Sequence, residues 1–270
     1  MAIRMIATDV DGTLLNSRGE IPAENVKAIR DAQEKGIIVA IASGRFAENV
    51  YVLLEKNGLR CPVIGVNGGS TADENLKPLF EHTMDPAAVD AVRRLLEEEN
   101  AQYYIFARKK IGASEGASGK HRELSDTERI RSLGFTYTSG TDESWDADSP
   151  VYKFFVGNSI PLPPLREKLR NVPGIEVTQS WFDNIELMPA GVDKALGVRE
   201  LAGHYSIGMR DVMTCGDQEN DIPMLRTAGL GVAMGNASEE TVRAADVMTD
   251  TNDRCGFAKA VRRYALGTAE

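Results

Sequence analysis

Two rhythms of apolar and polar positions run along the chain. Residues 3–8 form a short apolar run that reads as a buried strand. Residues 22–35 follow with Val26, Ile29 and Ala32 at helical spacing and Gly36 as the stop. Ile37-Ile38-Val39-Ala40-Ile41-Ala42 is unbroken, as a strand buried on both faces of a parallel sheet would be. A helix over 46–56, closed by Asn57-Gly58, and a third strand, Val63-Ile64-Gly65-Val66, complete the series. The same rhythm returns after Pro189, with helices over 194–203, 222–228, 238–244 and 256–265. Strands over 212–215, 231–233 and 247–248 lie between them. Alternation of this kind predicts a doubly wound parallel sheet.

The middle of the chain follows a different pattern. Short strand candidates flank a turn at Asp73-Glu74-Asn75, and a helix follows with Val89, Val92, Leu95 and Leu96 on one face. Strand-like pieces at 103–106, 152–157, 175–178 and 185–188 then alternate with polar stretches and one helix over 163–171. The glycine-rich piece from Gly112 to Gly119 matches no phosphate-loop spacing and reads as a flexible loop. The expected architecture is therefore α/β: a Rossmann-like core of residues 1–83 and 189–270, interrupted by an inserted α+β cap over 84–188.

Composition narrows the class of function. The 270 residues are 42% hydrophobic and 26% charged, which suits an ordinary globular protein with a sizeable core. A formal net charge of -9 argues against a nucleic-acid surface and suits small-molecule chemistry. Cys61, Cys215 and Cys255 are too far apart and too few for a disulfide framework or zinc spacing. No apolar run reaches membrane-spanning length, and the first strand is broken by Asp9 with no cleavage site after it. A cytoplasmic protein with no membrane partner is expected.

The first strand ends in Asp9-Val10-Asp11-Gly12. Residues i and i+2 of an extended segment point to the same side, so both carboxylates can face one site at the carboxyl end of the strand. A strand running into a polar turn accounts for the same residues. Gly216-Asp217-Gln218-Glu219-Asn220-Asp221 also follows a strand, and one helical turn would bring Asp217, Asn220 and Asp221 to one side. Asp221 also suits an N-cap for the helix that holds Pro223. Two strand ends bearing Asp9, Asp11, Asp217 and Asp221 call for a cation, and Mg²⁺ is the usual hard ion beside a phosphate. Ser43-Gly44-Arg45, where a strand meets a helix, offers backbone N–H groups and a hydroxyl to an anion, or a simple Ser43 cap. Lys194 falls at a helix start, where the dipole disfavours a cation. It is either aimed at a phosphate and the acids or solvated.

These four motifs, in this order, resemble those of the haloacid dehalogenase-like superfamily, and the chain is most similar to its Cof-type sugar-phosphate phosphatases. Asn67-Gly68, the run Ala233-Met234-Gly235-Asn236-Ala237 and the pair Asn252-Asp253 fit that branch as well. Ala195 in place of the usual glycine and the turn Asp253-Arg254-Cys255-Gly256 depart from it. The resemblance implies Mg²⁺-dependent hydrolysis of a small phosphorylated metabolite, with Asp9 as nucleophile and Asp11 as general acid and base. It implies metal held by Asp9, the Asp11 carbonyl and Asp217, with Asp221 behind them. Ser43, Gly44, Lys194 and Asn220 would hold the phosphoryl group, Arg45 would touch substrate or pair with an acid, and the cap would select the substrate. Trp181, Phe182 and Asp183, which precede a strand returning to the core, are cap candidates for that selection, with core packing the alternative explanation for the two aromatics. A phosphomutase of the same branch and a non-catalytic phosphosugar sensor are the alternatives.

Overall fold

The chain is described by a computed structural model over residues 2–114, 117, 127–139, 149–157, 159–180 and 183–268. Its centre is β1 (Met5–Thr8), flanked by β2 (Ile38–Ala42) on one side and β12 (Val212–Gly216) on the other, all parallel. On the first side β3 (Val63–Gly65), β4 (Ser70–Ala72) and β5 (Pro78–Glu81) extend the sheet; on the second, β13 (Leu230–Ala233) and β14 (Val247–Met248) do so. The order β14-β13-β12-β1-β2-β3-β4-β5 reverses direction of winding between β1 and β12. At such a switch point the loops leaving two adjacent strands turn opposite ways and open a crevice at their carboxyl ends.

Alternation along each strand feeds two cores, because successive side chains point to opposite faces. Ile6, Val39, Ile41 and Met213 meet α1 (Ala23–Glu34), α2 (Ala47–Lys56) and the C-terminal α9 (Gly256–Ala260) through Ile29, Val50 and Phe257. Met5, Ala7, Ala40 and Val212 instead meet α6 (Lys194–His204) through Val198 and Leu201, and α7 (Ile222–Thr227) through Met224. The remaining core helix, α8 (Glu239–Ala244), is capped by Ser238, whose hydroxyl accepts from Thr241 N–H.

The chain divides into two compact units, residues 1–80 with 193–270, and residues 81–192. The second unit has its own six-stranded sheet, ordered β10-β11-β9-β6-β7-β8. Its strands are β6 (Tyr103–Ala107), β7 (Lys110–Ala113), β8 (Thr136–Ser139), β9 (Val151–Gly157), β10 (Ile175–Thr178) and β11 (Asn184–Pro189). Val89, Val92 and Leu96 of α3 (Pro86–Glu98) and Leu165 and Leu169 of α5 (Leu162–Leu169) pack on Ile105, Phe154 and Leu187. A short α4 (Thr127–Ser132) precedes β8.

One local expectation is corrected. Gly112 and Ala113 are not loop: they belong to β7, where Gly112 pairs with Ile105 and buried Ile111 and Ala113 face the same way. Residues 115, 116, 118 and 119 of that glycine-rich piece, like Trp181 and Phe182, lie outside the described residues. The last helix runs where expected, α-helical over Gly256–Ala260 and continuing over Val261–Leu266 in a wider helical winding. Among the described residues no helix is long and apolar enough to cross a membrane.

Candidate active site

The register of the central strands brings the acidic loops together. Thr8 pairs with Cys215, so the chain leaves β1 at Asp9 beside the point where it leaves β12 at Asp217, and Asp9 N–H donates to the Cys215 carbonyl at 3.0 Å. After Asp9 the backbone winds through one wide turn, closed by Leu15 N–H on the Val10 carbonyl at 2.9 Å. Gly12 occupies the left-handed region at φ +83, and a Cβ there would lie 2.2 Å from Asp217 Oδ2. Only glycine allows the two loops to approach so closely. Thr13 then donates its hydroxyl to Asp217 Oδ1 at 2.8 Å, a contact not foreseen from the sequence.

Lys194 is fully buried, which excludes the solvated reading. Its Nζ donates to Asp9 Oδ1 and to Asp221 Oδ1, both at 2.6 Å. The lysine reaches this point because α6 starts against the turn after β3. Gly68, at φ +95, faces the Asp193 carbonyl, which a Cβ would meet at 2.1 Å. Asp193 caps α6 through Leu196 N–H at 2.8 Å, leaving Lys194 as the first helical residue with its side chain turned inward.

Asp221 reaches the centre by a different local geometry from the helical turn that its spacing suggested. The segment from Asp217 is not one helical turn, because Gln218 is extended at φ -123 and ψ 175. Instead, Asp221 Oδ2 accepts the backbone N–H groups of Asp217 at 2.9 Å and Gln218 at 3.1 Å, in a capping box with the Gln218 side chain. Asp221 is thus the third residue of that turn and, as expected, stands at the N-cap position of α7, although its side chain makes no cap hydrogen bond to that helix. With Oδ1 on Lys194 and Oδ2 on two N–H groups, it anchors the lysine and the loop.

The other predicted residues gather around this centre. Ser43 is buried three residues before Phe46 caps α2 without a side-chain bond, so it is not the helix cap; its Oγ accepts from Arg45 N–H at 3.2 Å. Gly44 lies between them, half-buried. Arg45 forks onto Asp11, Nε to Oδ2 at 2.9 Å and Nη2 to Oδ1 at 2.7 Å. Of the two readings left open for Arg45, the structure therefore displays the acid pair. Asn220 is buried and donates to Asn67 Oδ1 at 3.2 Å. Asp183 belongs to the inserted unit, half-buried just before β11.

Charge in the centre is unbalanced. Among the described residues, Lys194 pairs with Asp9 and Asp221, and Arg45 pairs with Asp11, so four carboxylates meet these two cations. Burial, together with Asp221, Asp217 and Asp11, holds the Asp9 carboxyl well above the usual range despite Lys194. Burial and the Asp221 charge push Asp217 up to about 7, against the Thr13 hydrogen bond and Lys194. Lys194 is held above its ordinary value because Asp221 and Asp9 outweigh its burial. A buried carboxylate cluster with surplus negative charge fits a hard divalent cation. Asp9, Asp217 and Asp221 offer oxygens within 4.8 Å of one another, although both Asp221 oxygens already have partners. Among the described residues no hydrogen bond is directed at Asp9 Oδ2.

Two asparagines missed as site residues complete the frame. Asn236 donates to the Gly12 carbonyl at 2.8 Å, and Asn252 donates to the Leu15 carbonyl at 2.9 Å. Both stood in runs that marked the family resemblance, the only sequence signal for them.

Comparison with known proteins agrees with this geometry. The haloacid dehalogenase-like hydrolase family profile matches residues 6–261. A 5-amino-6-(5-phospho-D-ribitylamino)uracil phosphatase of Bacillus subtilis is 33% identical over 264 residues, covering 98% of this chain and 96% of that protein. The solved structure of a haloacid dehalogenase-like hydrolase from B. subtilis superposes with a TM-score of 0.86 at 29% identity, covering 97% of this chain and 100% of the other. A sugar phosphatase of subclass IIB superposes with a TM-score of 0.81 at 25% identity, over 97% of this chain and 99% of that one. With its profile match spanning nearly the whole length and its acids assembled at the switch point, this chain belongs to the haloacid dehalogenase-like hydrolases, among their Cof-type phosphatases.

Proposed function

We propose that the chain is a Mg²⁺-dependent phosphatase of small phosphorylated metabolites, sugar phosphates foremost, acting through an aspartyl-phosphate on Asp9. The observation that carries the reading is the buried Lys194 ammonium, held at 2.6 Å from both Asp9 and Asp221. It fastens one oxygen of Asp9 and leaves Oδ2 available to attack. Substrate class is supported by relatives whose names specify a phosphorylated ribityl compound and a sugar phosphatase.

In the first step Asp9 Oδ2 forms a bond to phosphorus while the ester P–O bond breaks, and Asp11 gives a proton to the departing alkoxide. In the second, Asp11 takes a proton from water as the water oxygen attacks phosphorus. The acyl-phosphate P–O bond breaks, returning Asp9 and inorganic phosphate. Ser43, the Gly44 N–H, Lys194 and Asn220 are assigned to the phosphoryl oxygens, whose charge redistributes during transfer. Arg45 is assigned to orienting Asp11 rather than to substrate. Asp9, the Asp11 carbonyl and Asp217 would hold Mg²⁺, which when bound supplies positive charge to the acids and the phosphoryl group. Selection among esters is assigned to the insertion, residues 84–188 by the sequence reading.

Phosphate release from a panel of phosphorylated sugars, sugar alcohols and cofactors, with Mg²⁺ and with chelator, tests the proposal. Release should require Mg²⁺, and Asp9→Asn should lower it by a factor on the order of 10⁴ or more while the fold is kept. Full activity in Asp9→Asn would overturn the nucleophile assignment. Equal release with chelator would overturn the metal.

A further inference from the structure

The loop after β13 touches both acid-bearing loops. Met234 N–H donates to the Gly216 carbonyl at 3.1 Å, and Ser238 N–H donates to the Asp217 carbonyl at 3.0 Å. Between them, Asn236 reaches across to the other loop and donates Nδ2 to the Gly12 carbonyl at 2.8 Å. Its Oδ1 accepts from Asn252 N–H at 2.9 Å. A carbonyl can only accept and a backbone N–H can only donate, so these two partners fix which way the amide points. Asn236 is nevertheless exposed. An exposed hydrogen bond contributes little to stability, so the tie calls for another reason.

That reason lies in what the two loops carry. Gly12 directly follows Asp11, whose carbonyl is assigned to the metal, and precedes Thr13, whose hydroxyl holds Asp217. The spacing between the Gly12 and Asp217 loops is the spacing of the proposed metal donors. We infer that Asn236 is a positioning residue for the divalent cation: by bracing the Gly12 carbonyl from the loop that also holds Asp217, it sets the distance between the two halves of the donor set. The inference rests on the metal reading given under the proposed function.

Titration calorimetry with Mg²⁺ alone tests it, beside steady-state kinetics and thermal melts. Outer partners that orient metal-binding groups typically change affinity or rate by roughly 10–100-fold. Asn236→Ala should weaken Mg²⁺ binding about tenfold and lower kcat in parallel at sub-saturating metal, with KM for the phosphate ester changed less than about twofold. Its melting temperature without metal should stay close to that of the parent. Asp253→Ala is the control: it removes a tie of equal length, Asp253 Oδ1 to Ser17 N–H at 2.8 Å, farther along the same loop. It should leave Mg²⁺ affinity unchanged. Unchanged Mg²⁺ affinity in Asn236→Ala, or an equal loss in both variants, overturns the inference alone. Absence of Mg²⁺ binding by the parent chain overturns the metal reading and this inference with it.

Discussion

Asp217 shows how one buried side chain couples folding and acidity to the metal binding proposed for it. Thr13 and Gln218 hold its oxygens, yet burial and Asp221 keep its proton on up to a pH of about 7. The unfolded chain releases that proton near the ordinary aspartate value of 3.8. Between those limits the native state binds more protons than the unfolded one, so Asp217's contribution to stability falls as pH rises through the window. A cation reverses the preference, since it binds the ionised carboxylate and must displace the proton at lower pH. The gain in Tm on adding Mg²⁺ is therefore expected to grow between about pH 6 and about pH 8. Melts with and without Mg²⁺ at both values check this; a gain that shrinks with pH would remove Asp217 from the donor set.

At the scale of elements, the site depends on where α6 begins. Gly68 lies against the Asp193 carbonyl, and Gly197 one turn further on lies against Ile64 and Gly68. Two glycines thus let the turn after β3 meet the first turn of the helix, and that contact aims Lys194 at the acids. Gly68→Ala would place a Cβ 2.1 Å from Asp193 O at φ +95. Strain of this kind is expected to cost roughly 1–3 kcal/mol and, by moving Lys194, to reduce phosphate release at least tenfold. Urea unfolding and kinetics on the same variant measure both effects. Unchanged values would show that α6 is positioned by its apolar face alone.

On the scale of the whole molecule, each unit carries its own buried polar chemistry. In the inserted unit Lys153 and Glu186 pair at 3.2 Å on neighbouring strands, both almost fully buried, with the Lys153 ammonium 4.5 Å from the Phe106 ring. Removing Lys153 leaves the Glu186 carboxylate buried without its ammonium, the Ser180 hydroxyl still donating to Oε1 at 3.1 Å. Lys153→Met should therefore destabilise the protein by about 3–5 kcal/mol, whereas adding Glu186→Leu should recover most of the loss. Chemical denaturation of the single and double variants decides it, and a double variant no better than the single one would mean that the pair does more than satisfy itself.

Periodicity and punctuation determined much of this protein. Short, β-branched apolar runs bounded by glycine and polar turns read as strands buried on both faces, and helical spacing between them supplies the crossovers, so the parallel core was legible along with the change of rhythm in the middle. The acids at 9, 11, 217 and 221 were legible because charge at the end of a buried strand needs an explanation. Lys194 stood out for the same reason, as a cation at the wrong end of a helix. Sequence spacing could not show that Asp221 faces back onto Lys194 and two N–H groups, because an extended Gln218 breaks the helical turn that the spacing suggested. Nor could it show that Arg45 grips Asp11, that Thr13 holds Asp217, or that Asn236 braces Gly12. Those contacts join residues between 34 and 224 positions apart. The register of β1 against β2 and β12, and of β12 against β13, with the space left by Gly12, brings them within hydrogen-bonding reach.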